Sequence, residues 1–198
     1  MAKNPIGLLS TKNNLDDLMS AALLCHKAKL YVAGLMLTYS LIDILGAIGF
    51  RRDQYRSDRE SFLWWCDHYL IPVLRPEIPE LRSIDLYAAR CGAVHGYSTD
   101  SDLARNNAAK QIGYVFQKEH RLRLIHDLNT LPGGRPRQDN LARIPADHVV
   151  VDFVTFYEAF RSGTKAFFHE VEADADWVAL VIRHGARQFS SIEIEKVD

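Results

Sequence analysis

The stretch LYVAGLMLTYSLIDILGAIGF, residues Leu30 to Phe50, decides the fold. It is nearly long enough to cross a bilayer and has basic residues on both sides, so it is either a membrane span or the central helix of a bundle. Asp43 lies within it, and a carboxylate in mid-span costs about 3 kcal/mol on insertion scales. Tyr39 and Ser40 add polarity, and the sequence offers no second span to pair with it. A bundle helix covered on all sides shows the same all-round hydrophobicity. The stretch is therefore predicted to be a buried helix, with no membrane partner.

The flanks support a bundle. Upstream, NNLDDLMSAALLCHKAKL opens on Asn14 as an N-cap, with Asp16 and Asp17 suited to the positive end of a helix dipole. Downstream, SDRESFLWWCDHYL places Ser57 and Glu60 at capping-box spacing, and Pro72 is expected to stop that helix. Residues 71–82 hold three prolines and read as an irregular connection. Ser83 then starts SIDLYAARCGAVHG, with Gly96 as its terminator. Four helices joined by short or proline-marked links make a helical core over residues 10–100. From Gln111 the pattern changes: IGYVF, LRLIH and HVVVDF are short and rich in β-branched or aromatic residues, and LPGGRPRQDN reads as a loop tip. Residues 111–151 are thus an insertion containing a small sheet or hairpin. The segment FVTFYEAFRSGTKAFFHEV returns to helical spacing, a C-terminal helix over 152–173 that packs back on the bundle, and RQFSSIEIEKVD is expected to fray. The expected fold is mainly α, a helical bundle with a small β-containing or irregular insertion and a C-terminal helix, in one domain of 198 residues.

Composition excludes several classes of function. A hydrophobic share of 47% with 25% charged residues is that of a globular protein and argues against wholesale disorder. A net charge of −1 argues against a chain coated in nucleic acid. The charge is uneven, however: residues 1–145 carry 19 basic and 15 acidic side chains and residues 146–198 carry 5 and 10, so a polyanion would meet the first three quarters. Cys25, Cys66 and Cys91 are scattered, and His26, His68 and His169 have no partner at metal-ligand spacing, so no disulfide framework, metal site or cofactor is expected. No phosphate-loop, dinucleotide or nucleophile-elbow pattern occurs. A reducing cytoplasm is the expected location, since residues 1–14 lack the apolar core of an export signal.

The remaining chemistry sits in DLYAARCGAVHGYS, where Arg90 is followed by His95. Five positions on a straight helix put the two about 140° apart around the axis, so they do not share one face. The positions between and before them, Ala88, Ala89, Gly92, Ala93 and Val94, are small or apolar and invite a neighbouring helix. RCGAVH resembles the arginine–histidine signature of HEPN domains, helical nucleases and nucleotide-binding modules of bacterial defence, and Tyr97 extends the likeness to the form seen in HepT-like toxins. The phrase is also similar to uncharacterised bacterial HEPN-like proteins. The resemblance covers residues 10–100 and implies a HEPN-like bundle. It further implies a metal-independent endoribonuclease of defence or toxin–antitoxin type acting on RNA as a homodimer, so that two copies pool their arginines and histidines.

In that scheme His95 is the proton-transfer residue, since imidazole titrates near neutrality, and Arg90 clamps phosphate oxygens with its planar fork. Tyr97 matches the tyrosine that a nucleotidyltransferase antitoxin adenylylates. The resemblance equally admits a non-catalytic nucleotide-binding or dimerising module, in which Arg90 and His95 hold a ligand or the fold. A nuclease would turn both residues to an open groove at the dimer axis, whereas a structural pair would be buried and satisfied within one chain.

Asp43 is the natural partner of Arg90, because a carboxylate in an apolar helix must be paired or well hydrogen-bonded. It is either an interior ion pair or a support that orients the guanidinium. RRDQYRSDR gathers Arg51, Arg52 and Arg56 around Tyr55, and with Arg105 these suit phosphate contacts and base stacking. They also suit a solvated loop, partly neutralised by Asp53 and Asp58.

Overall fold

The structure, a computed structural model, describes residues 5–96, 108–116 and 147–190. Helix α1 (Pro5–Lys27) and helix α2 (Tyr31–Gly49) form an antiparallel pair. The turn between them is closed by Leu30 N–H to the Cys25 carbonyl at 2.8 Å and Lys29 N–H to the His26 carbonyl at 2.9 Å. This is the Schellman arrangement, which needs a left-handed residue. Lys29, at φ 61°, fills that position where glycine is usual.

The helix expected to begin at Asn14 begins at Pro5 instead. The added turns are held by tertiary packing: Leu8 and Thr11 are buried, and Gly7 lies against Ile182 of a helix far along the chain. Next come α3 (Arg59–Trp65), a π-helical turn (Cys66–Leu70) and α4 (Ile71–Leu74). The α3 cap is Asp58, not Ser57: its carboxylate accepts from Ser61 N–H at 3.0 Å, while Ser61 Oγ accepts from Asp58 N–H at 3.1 Å. Pro72 does not stop the helix either. The π turn bonds Ile71 N–H to the Cys66 carbonyl, shifting the register just where proline's missing N–H would otherwise break it.

Helix α5 (Ser83–Gly96) is fixed at its start by Asp85, which is fully buried and accepts from Arg82 N–H at 3.0 Å, Arg82 Nη2 at 2.6 Å and Lys110 N–H at 2.7 Å. Lys110 leads into β1 (Gln111–Val115), which pairs with β2 (His148–Asp152). The pairing is parallel, Gln111 opposite His148 through Val115 opposite Asp152, so these two strands are not a hairpin. The candidate strand LRLIH and the loop tip LPGGRPRQDN lie outside the described residues.

Asp152 caps α6 (Phe153–Ala173) by accepting from Thr155 N–H at 2.9 Å. One further helix, α7 (Ala175–Phe189), was not foreseen. Asp174 caps it, accepting from Trp177 N–H at 3.1 Å.

Helix α2 is the hub, packing against α1, α3, α5, α6 and α7. Thr38 and Ser40 return their hydroxyls to the Gly34 and Met36 carbonyls at 2.9 Å each, so the apolar helix carries no stranded hydroxyl. It is the one described helix long and apolar enough to cross a membrane, and 61% of that stretch is buried inside the protein. The expectation of cover on all sides needs correction, however. Val32, Ala33 and Ser40 are exposed and Met36 half-buried, because no described element packs on that side. The buried aromatic set Phe62, Trp65, Tyr69, Phe156, Phe160 and Phe167 joins α3, the π turn and α6 into one core. Trp65 is fully buried in this core, and Trp64 packs against it.

Candidate functional site

Helices α2 and α5 meet where Asp43 faces Arg90. Arg90 donates through Nε to Asp43 Oδ2 at 2.8 Å, with only 21% and 14% of the two side chains exposed. Burial works against the charge on Arg90, but the attraction of Asp43 and the neighbouring Cys91 outweigh it and raise its pKa above the ordinary value. The bond is made by Nε, on the stem of the guanidinium, rather than by the terminal fork. Orientation is fixed in this way while the charge is retained.

Two residues that sequence reading left aside complete the cluster. Tyr87 and Cys91, one turn apart on α5, lie beside the ion pair. The Tyr87 hydroxyl is pushed up in pKa by burial first, then by Cys91 and Asp43, with Arg90 opposing. The i, i+4 spacing of Tyr87 and Cys91 was visible, but nothing in the sequence said that α2 would come to that face. Tyr87 also packs edge-on to Phe62 at 5.4 Å, with the Arg59 guanidinium 5.8 Å from its ring centre. His95 belongs to the last turn of α5, and its side chain is outside the described residues, as are Tyr97 and Arg105 entirely.

The arginine-rich connection serves the fold directly. Arg51 donates to Asp174 Oδ2 at 2.8 Å and lies 4.2 Å from the centre of the Trp177 ring, tying the end of α2 to the start of α7. Arg52 donates to Asp58 Oδ2 at 2.9 Å, and Arg56 Nε lies 3.3 Å from the same oxygen. Burial raises the Asp58 pKa, but the Ser61 and Arg52 hydrogen bonds prevail and hold it below the usual carboxylate range. In the same connection the Tyr55 hydroxyl is raised in pKa by burial first and then by the charge of Asp43. Tyr55 also donates to Gln188 of α7.

Among the described residues no group of three or more His, Cys, Asp or Glu side chains is placed to hold a metal ion. Compared with protein-family models, curated proteins and solved structures, the chain gives no significant match.

Proposed function

We propose that the protein is a HEPN-like, metal-independent endoribonuclease that acts as a homodimer, of the kind used in bacterial defence or toxin–antitoxin pairs. The observation that carries this reading is the Asp43–Arg90 ion pair, which aims a charged guanidinium from the same helix that carries His95. In the proposed chemistry His95 moves a proton at the 2′-hydroxyl or the leaving oxygen, and Arg90 steadies charge on the phosphorane. The uncovered side of α2, with Ala33 and Ser40 exposed and Met36 half-buried, runs toward Asp43 and would give a second copy an uncharged surface. Tyr97 would then be the residue a nucleotidyltransferase antitoxin modifies, and Arg56 and Arg105 the flanking RNA contacts, Arg51 and Arg52 being held by Asp174 and Asp58.

The test is cleavage of a short RNA in excess chelator. His95→Ala is expected to abolish cleavage and leave the melting temperature nearly unchanged, and Arg90→Lys to impair it by loss of the planar fork. Cleavage undiminished in His95→Ala would end the assignment.

A second reading is favoured by the low exposure of Arg90 and its intrachain partner: a non-catalytic nucleotide-binding or dimerising module in which the pair holds α2 to α5. Here the wild type would cut no RNA in the same assay.

A further inference from the structure

Between α1 and α6 lies an open groove of about 480 Å³, and none of its lining residues comes from α2 or α5. The two helices run antiparallel along it. Lys12 is ion-paired with Glu172 at one end, and Tyr157 donates to the Met19 carbonyl at 2.6 Å toward the other. These bridges span the two walls. The apolar part of the lining is Met19 and Leu23 with the buried Tyr157 and Phe168, and the Lys12 ammonium lies 5.0 Å over the Phe168 ring.

The walls differ in kind. On α6, Arg161, Lys165 and His169 stand at successive i, i+4 positions and make a single row of cationic or protonatable groups. Arg161 is engaged by Glu158 at 3.1 Å, whereas Lys165 and His169 make no ion pair or hydrogen bond with a described residue. On α1, Asp16 and Ser20 stand one turn apart and likewise make none, which leaves an acceptor and a hydroxyl facing the cationic row. A volume of this size is typical of sites for small organic ligands.

We infer that this groove binds an amphipathic organic phosphate of nucleotide size. Its flat apolar body would lie on the Met19–Phe168 floor, its phosphate on the Lys165–His169 wall, and its hydroxyl groups would donate to Asp16 and pair with Ser20. Phosphate suits the cationic row because charge-assisted hydrogen bonds are the strong ones. The site is independent of the nuclease reading, since it shares no residue with the α2–α5 cluster.

Titration calorimetry of the full chain with adenosine monophosphate, adenosine and inorganic phosphate tests the inference. Saturable one-to-one binding of the monophosphate is expected, with adenosine and phosphate each weaker by at least about tenfold, a difference of about 1.4 kcal/mol. Lys165→Glu should weaken the monophosphate by at least the same factor. Ser20→Trp should fill the groove and abolish binding. Both positions are exposed on helix surfaces, so circular dichroism should report an intact fold. Arg75→Glu, in the turn after α4, should leave binding unchanged. Absence of binding at millimolar monophosphate would overturn the site, as would affinity unaltered by Lys165→Glu or adenosine binding as tightly as its phosphate.

Discussion

At the scale of the residue, Asp43 and Arg90 make the sharpest demand. Removing one partner of a buried ion pair leaves an uncompensated charge, at a cost of about 3–5 kcal/mol when burial is complete. With 14% and 21% of the side chains exposed, Asp43→Ala should cost somewhat less, about 2–3 kcal/mol by urea denaturation. Asp43→Asn keeps a hydrogen-bond acceptor and should recover part of that. His184 gives a second prediction, in pH. It is fully buried on α7, edge-on to Tyr55 at 5.7 Å. Its pKa is lowered by burial first and by Arg183 and Arg187, while the carbonyls of Asp53 and Ile48 oppose this. The unfolded chain, titrating near about 6.5, therefore binds more protons than the folded one just below that pH. Stability should rise with pH through this window and be lost as pH falls from about 6.5 toward the lower folded value. Melting temperatures between neutral and mildly acidic pH should fall more steeply for the wild type than for His184→Leu.

At the scale of the element, the α1–α2 turn carries identifiable strain. A non-glycine residue in the left-handed region costs about 1 kcal/mol, and Lys29 occupies it at φ 61°. Lys29→Gly should raise stability by about 0.5–1 kcal/mol, less than the full strain because glycine also loosens the unfolded chain. Gly46 makes the opposite prediction. A Cβ there would sit 2.6 Å from the Ser61 carbonyl oxygen at the α2–α3 contact, so Gly46→Ala should destabilise by about 1–3 kcal/mol. These elements also show what the sequence could reveal. The existence of α2 and α5 was legible because their apolar and small-residue patterns are local. Helix edges were not: Asn14 yielded to Pro5 because α7 covers Leu8 and Thr11, and Pro72 passed because a π turn absorbed it. Helix α7 was missed although Asp174 and the spacing of Trp177 and Val181 announce an amphipathic helix. The Asp43–Arg90 meeting was legible as a chemical necessity, since a carboxylate in an apolar helix needs a partner. Its enclosure by Tyr87 and Cys91 depended on the packing of α2 against α5, which no local pattern encodes.

At the scale of the whole molecule, Trp177 joins the parts. It donates through Nε1 to the Gly49 carbonyl at 2.8 Å, meets Phe167 edge-on at 5.7 Å and carries Arg51 over its ring. One side chain thus connects α2, α6 and α7. Trp177→Ala should cost about 3–5 kcal/mol by denaturant titration. Trp177→Phe, which loses only the N–H bond and part of the ring, should cost less than half as much. Sedimentation at micromolar concentration tests the proposed dimer. A species of twice 22.5 kDa is expected, and a charge placed on the uncovered α2 strip by Met36→Glu should shift it to the monomer.

The contact of Gly7 and Thr11 with Ile182 and Gly185 has a consequence in time. α1 leaves the ribosome well before its partner helix α7, which begins 170 residues after Pro5. At translation rates of about 5–20 residues per second, the part of α1 that packs on α7 waits roughly ten to thirty seconds for cover. During that interval the nascent chain presents Leu8 and Leu15 together with the still-open end of α2. This protein should therefore depend on early chaperone engagement in the cell, and ribosome-bound chains that stop before Asp174 should remain sensitive to protease when chains extended past Phe189 do not.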